Sequence, residues 1–165
     1  MSIRNVNLEL ERSPVGMSIR KVCQRVLYSD FTDGASTAGT LNLTKTIPAG
    51  SFVIGSKVNV VTGFTGDTTC VLDIGNSSDD DAYSFTTHNI YTAADNLVEV
   101  ADAVTGGTSA SLVPVASATT ILLTATSGTD WTLVTAGEMF VEVFYLSTNA
   151  EPVEYYQNKW RKSTN

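Results

Sequence analysis

The stretch that most restricts what this chain can become is GTLNLTKTI at residues 39–47, followed at once by IPAG and FVIGSKVNVVT. In the first segment Leu41, Leu43 and Ile47 fall on one face, while Thr40, Asn42, Thr44 and Thr46 fall on the other. A repeat of two is the signature of a half-buried strand, because successive side chains of a pleated backbone point to opposite sides. The second segment repeats it, with Phe52, Ile54, Val58 and Val60 expected to share a face and Gly55, Lys57 and Asn59 the other. Pro48, Ala49 and Gly50 between them supply a turn.

Further strands are expected at 69–74, 83–87, 111–115, 119–126 and 137–146, and the abundant Thr and Val suit a pleated surface better than a helix. Short strands at roughly ten-residue spacing, divided by Gly, Asp and Ser turns, imply an all-β antiparallel β-sandwich of jelly-roll type. Only residues 89–104 and the first dozen residues also admit a helical reading. At 165 residues, 42% hydrophobic and 16% charged, the chain has enough apolar material for one packed domain. It has no apolar run of the roughly 20 residues that a membrane helix needs. The N-terminus mixes charges throughout and is not read as a signal or transit peptide.

Charge divides the chain into three. Residues 1–25 hold five cations against two acids, residues 26–150 hold Lys45 and Lys57 against thirteen acids, and the last fifteen hold three cations against two acids. The reading is a basic N-terminal arm over 1–25, an acidic body over 26–147 and a basic C-terminal tail over 148–165. Such ends are either solvated termini or arms that dock on an acidic partner; the acidic body offers no basic groove for nucleic acid. Candidate partner contacts in the N-terminal arm are Ile3, Arg4, Val6, Leu8, Arg12, Arg20 and Lys21.

Catalytic chemistry finds little to work with. His88 is the single histidine, and nothing near it resembles a nucleophile elbow. TGGTSAS at 105–111 lacks the spacing of a phosphate-binding loop. Cys23 and Cys70 have no CxxC spacing; a disulfide between them is open but disfavoured in a reducing cytosol. Asp79, Asp80 and Asp81 follow a strand, and an EF-hand loop opened at Asp79 would require glycine at Ser84 and glutamate at Ile90. A looser cation site built from Asp73, Asp79 and Asp81 stays open beside the alternative of a solvated turn that keeps a sheet edge soluble. No cofactor is expected.

The order IPAGSFVIGSKVNVVTGFTG, VLDIGNSSDDDAYSF and ATTILLTATSGTDWTLVTAGEMFVEVFYL resembles a recurring pattern in small structural proteins of tailed bacteriophages. There an lPAGa segment precedes a vGdsgD.D.y turn and an l.aGev.v.v.y final strand; the resemblance spans residues 27–147. It implies a non-enzymatic virion component made in the host bacterial cytoplasm. Among such proteins, capsid cement or decoration proteins on the outer shell match best in size and character. The implied partners are the major capsid protein and other copies of this chain, with a homotrimer favoured over a dimer.

Two features met independently fit that role. The last strand is apolar on both sides, with Met139, Val141, Val143 and Tyr145 on one and Phe140, Phe144 and Leu146 around Glu142 on the other. This points to a central position or a protomer interface, so Phe140 and Phe144 are candidate oligomer contacts. The tail adds Tyr155, Tyr156 and Trp160, residue types enriched at interface hot spots; a tail folded back on its own sandwich is the alternative. The competing function is a receptor- or carbohydrate-binding module of a tail or fibre, for which Tyr83, Tyr91 and Trp131 beside nearby aspartates would be the sugar platform.

Overall fold

A computed structural model describes residues 18–34, 36–95, 98–101 and 113–147. Among the described residues ten strands occur in chain order: β1 (Ser18–Leu27), β2 (Thr32–Asp33), β3 (Ala38–Ile47), β4 (Phe52–Thr65), β5 (Cys70–Gly75), β6 (His88–Asn89), β7 (Ala94–Asp95), β8 (Glu99–Val100), β9 (Thr119–Ser127) and β10 (Ala136–Ser147). One sheet runs β1-β10-β4-β7, with β8 also paired to β4; the other runs β2-β3-β9-β5-β6. Every pairing is antiparallel. The long strands β1, β3, β4 and β5 alternate between the sheets, β9 and β10 do so again, and the first long strand lies beside the last. This is a jelly-roll sandwich, as the alternation and turn spacing led us to expect.

The two inner faces form one core. Val58, Phe64, Met139, Val141 and Val143 from the first sheet meet Ile47, Leu72, Ile74, Ile121 and Leu123 from the second, all fully buried. Phe31 closes one end, edge-on to Phe64 at 6.1 Å and 5.0 Å from the Trp131 ring. Trp131 sits in a single 3-10 turn, Trp131–Leu133, started by Asp130, whose carboxylate accepts from the Thr132 amide at 2.9 Å and its hydroxyl at 2.7 Å. The indole lies flat over β3 because residue 39 is glycine; a Cβ there would stand 2.4 Å from Cε2 of Trp131.

Four expectations change. Residues 18–25, read as part of the N-terminal arm, belong to β1, which pairs with β10 without a bulge from Ser18 opposite Ser147 to Leu27 opposite Glu138. As the outermost strand of its sheet, β1 needs few buried residues, and Val22 and Val26 suffice to fix its inner face. Next, a register shift between Phe144 and Tyr145 sets Val53 opposite Tyr145 and Phe52 opposite Leu146. Phe52 thus lies on the face opposite to the one its spacing implied, since an extra residue reverses the alternation beyond it. Residues 83–87, and the described part 113–115 of the segment 111–115, are irregular and not strands; Tyr83 and Ser84 are buried in the first of these. Within 89–104 the described residues hold short strands, not a helix; residues 111–112 and the first dozen residues lie outside the description.

Candidate interaction surface

The outer face of the β1-β10-β4 sheet carries an unusual mixture of side chains. Its central strand contributes Phe140, Glu142, Phe144 and Leu146; β1 contributes Ile19, Lys21, Cys23 and Arg25; β4 contributes Phe52, Lys57, Asn59 and Val61. Ile19 is 68% exposed, Val61 49% and Phe140 37%. The apolar residues concentrate where the chain enters and leaves the sheet, with Leu146 flanked by Ile19 on one side and Phe52 on the other. Phe140 and Phe144, the predicted oligomer contacts, therefore do stand on a partly uncovered face. β10 is apolar on both sides because it is the middle strand of that sheet.

Charged residues divide this face into cross-strand pairs. Arg25 Nε donates to Glu138 at 2.7 Å, which raises the pKa of the guanidinium and lowers that of the carboxyl. Lys21 is hydrogen-bonded to Glu142, and that bond and its charge raise the ammonium pKa. So Lys21 and Arg25, which made residues 18–25 look like a docking arm, are engaged within the body. Arg20, exposed on β1, is not without a partner either. The remaining candidates Ile3, Arg4, Val6, Leu8 and Arg12, like Tyr155, Tyr156 and Trp160, lie outside the described residues. Over residues 1–17 the charge is zero, Arg4 and Arg12 against Glu9 and Glu11.

Between Phe140 and Glu142 on β10, Lys57 and Asn59 on β4, and Cys23 on β1 lies a dimple of about 210 Å³. Sequence reasoning missed it, because three strands distant in the chain must come together to form it. Cys23 is exposed there, whereas Cys70 is buried in the core of the other sheet with its thiol pKa pushed up to about 12 by burial. Both thiols are free, and the open possibility of a disulfide is not realised.

The aspartate turn is closed by its own backbone. Asn76 N donates to Asp79 O at 2.7 Å, Tyr83 N to Ile74 O at 2.8 Å, and Ser84 Oγ accepts from Ile74 N at 3.2 Å. Carboxylate oxygens of Asp79, Asp80 and Asp81 lie within 4.8 Å of one another, all on exposed residues. Asp73 is on the outward side of β5, opposite Thr124. Partial burial, then the charges of Asp80 and Asp81, lift its pKa to about 6. Asp81 is also raised, first by its hydrogen bond with Asp79. A tight acidic knot results, and nothing besides these carboxylates points to a bound cation.

The sugar-platform candidates are occupied elsewhere. Tyr83 and Trp131 are core residues and Tyr91 is half-buried. A polar cleft of about 480 Å³ does run past Asn42, Asn76, Ser77, Ser117 and Thr120, but its one ring, Tyr83, is buried with its hydroxyl 3.4 Å from Asn76 Nδ2. His88 is also internal, its Nε2 3.5 Å from Ser56 Oγ, and burial lowers its pKa against the pull of Glu99.

Sequence reading also passed over Asp67. Its carboxylate accepts from the amides of Thr68 at 2.6 Å, Thr129 at 2.6 Å and Asp130 at 3.2 Å and from the Thr129 hydroxyl at 2.8 Å, which holds its pKa far below the usual range. It clasps the β4–β5 loop to the residues between β9 and the Trp131 turn.

No protein-family model and no curated protein matches this chain. Two similar solved chains come from phage capsids. One belongs to the capsid asymmetric unit of cyanophage Pam1, with 15% identity, a TM-score of 0.48, and coverage of 79% of this chain and 86% of that one. The other belongs to the acidic stable capsid structure of Helicobacter pylori bacteriophage KHP30, with 13% identity, a TM-score of 0.34, and coverage of 77% and 94%.

Proposed function

We propose that this protein is a structural component of a phage virion, a cement or decoration protein that binds the outer surface of the capsid shell. The observation that carries the reading is where the described body begins and ends. Ser18 and Ser147 are register partners, at the apolar end of the outer β1-β10-β4 face. A sandwich that brings both ends of its described body and an apolar patch to one corner suits attachment to a large surface. The sequence resemblance supplies which surface: the major capsid protein. Assembly on shell symmetry axes favours a cyclic oligomer, and a trimer is the expected state in light scattering.

Docking rests on residues 1–17. With no net charge there, ion pairs cannot dominate: exposed pairs contribute about 0–1 kcal/mol each. Burying Ile3, Val6, Leu8, Leu10, Val15 or Met17 contributes roughly 1.5–3 kcal/mol each. The test adds full-length protein and a chain lacking residues 1–17 to shells stripped of this protein, at low and high salt. The full-length chain is expected to saturate the shells with little loss at high salt, while the shortened chain stays folded and binds poorly. Equal occupancy by both would refute the arm, and specific glycan binding without shell binding would favour a tail or fibre adhesin. The cut must stop at residue 17, because a cut at residue 25 removes most of β1 and uncovers one edge of β10.

A further inference from the structure

We infer that residues 88–95 are an acid-released strap: a proton taken up by His88 detaches this segment from the side of the sandwich while the rest of the fold stays closed, and uncovers the β4 and β5 edges beneath it.

The strap crosses from one sheet to the other. It begins as β6, paired with β5 through Val71 opposite Asn89 and Leu72 opposite His88, and ends as β7, paired with β4 through Asn59 opposite Asp95 and Val60 opposite Ala94. Between them Ile90 N donates to Cys70 O at 3.1 Å and Phe64 N donates to Ile90 O at 2.9 Å, so one residue ties the two sheets together. Tyr91 lies over Gly63, where a Cβ would stand 2.1 Å from the Tyr91 carbonyl oxygen. Of the eight residues in the strap, His88 and Ile90 are the buried ones. A segment held by so few ladder pairs and one buried aliphatic side chain opens at lower cost than β9 or β10, each paired on both sides.

His88 places a titrating ring at this weak crossing. The residue is 3% exposed, and Nε2 stands 3.5 Å from Oγ of Ser56, itself fully buried. The elements around the ring bring little charge to it. β4 offers Ser56, while its Lys57 turns to the dimple on the outer face; β5 offers Leu72, while its Asp73 turns outward; Asp95 of β7 is exposed beside Asn59. Among the described residues the charge that acts on the ring is Glu99 of β8, register partner of Ser56, and burial outweighs its pull. An imidazolium enclosed there without a hydrogen-bonded carboxylate is worse off than in water. The ring therefore binds a proton more weakly in the closed strap than in the open one, so closure is complete above pH 6.5 and weakens as pH falls below it. One proton separates the two forms, which raises the open fraction by up to about tenfold per pH unit.

Amide hydrogen exchange on the full-length protein tests this, with each rate divided by that of an unstructured chain at the same pH. At neutral pH the Ile90 and Phe64 amides, both bonded through the strap, should be at least about tenfold less protected than the amides of β9. Their protection should fall by about tenfold or more between pH 7 and pH 5 and stay below that of β9 throughout. His88→Gln should abolish this fall. Glu99→Gln, which keeps the buried ring and removes the one charge that favours its ionisation, should enlarge it. Equal protection of the strap and β9, falling together, would mean global acid unfolding and overturn the strap. So would protection at Ile90 and Phe64 that does not change with pH, or a fall that a folded His88→Gln protein retains. Where His88→Gln does not fold, Glu99→Gln decides, and a fall no larger than that of the parent chain would overturn the role of the ring. Shells play no part in the assay, so the strap and the capsid role fail independently.

Discussion

The two sheets of the sandwich show water very different outer faces. On the β3-β9-β5 sheet the outward positions are Thr40, Asn42, Thr46, Thr120, Thr124, Thr126 and Asp73, with Leu122 and Val71 as apolar exceptions. On the β1-β10-β4 sheet they are Ile19, Phe52, Val61, Phe140, Phe144 and Leu146, with ion pairs between them. Inner faces do not explain the contrast, since both sheets bury an apolar inner face in the same core. Threonine suits a strand that stays wet, giving β propensity without an apolar patch. Partly uncovered apolar side chains on the opposite face are what the proposed shell contact would use.

The largest effect expected from this comparison lies across the thickness of one strand. Met139→Ala, on the inner face of β10, should cost about 2–5 kcal/mol in denaturant unfolding, as cavity-forming core changes do. Phe144→Ala, on its outer face, should cost about 1 kcal/mol or less in a chain ended at residue 147. If the two cost the same there, the outer face is already packed by the body and the contrast fails.

A pH effect of intermediate size comes from Asp73. Its folded pKa of about 6 lies above the ordinary carboxyl value, so the native state holds its proton more tightly than the unfolded chain. At neutral pH the ionised group is therefore a burden, relieved as pH falls through 6 toward 4. Asp73→Asn should raise stability at pH 7 by about 1 kcal/mol, after allowance for solvent screening, and the gain should vanish near pH 4. His88 acts in the opposite direction: its lowered folded pKa means that stability is lost as pH falls below 6.5, where the unfolded chain takes up the proton first. His88→Gln should flatten that decline, and a steeper decline would show that the buried ring is charged in the fold. The smallest effect is expected on the threonine face, where Thr124→Val should stay within about 0.5 kcal/mol.

Much of this was legible in the sequence wherever alternation was strict. Thr119–Ser127 and Ala136–Ser147 appear nearly at their read limits because each alternates without interruption. β1 was not recognised, because Arg20, Lys21 and Arg25 outnumber its two inward valines and resemble a charged arm. The partners of Lys21 and Arg25, Glu142 and Glu138, are more than 110 residues away. The bulge that turns Phe52 outward depends on pairing with β10, which periodicity within β4 cannot report. The same holds for the dimple and for the Asp67 clasp, both assembled from distant parts of the chain.

The central proposal is that this jelly roll binds a capsid shell, with one face for contact and one for water. Imaging of stripped capsid shells saturated with the purified full-length protein tests it most directly. The account predicts discrete added density at symmetry-related positions on the outer shell, in fixed copy number, with the threonine-rich β3-β9-β5 face turned to solvent. Shells that remain bare at saturating protein, or bound copies with that threonine face against the shell, would contradict it.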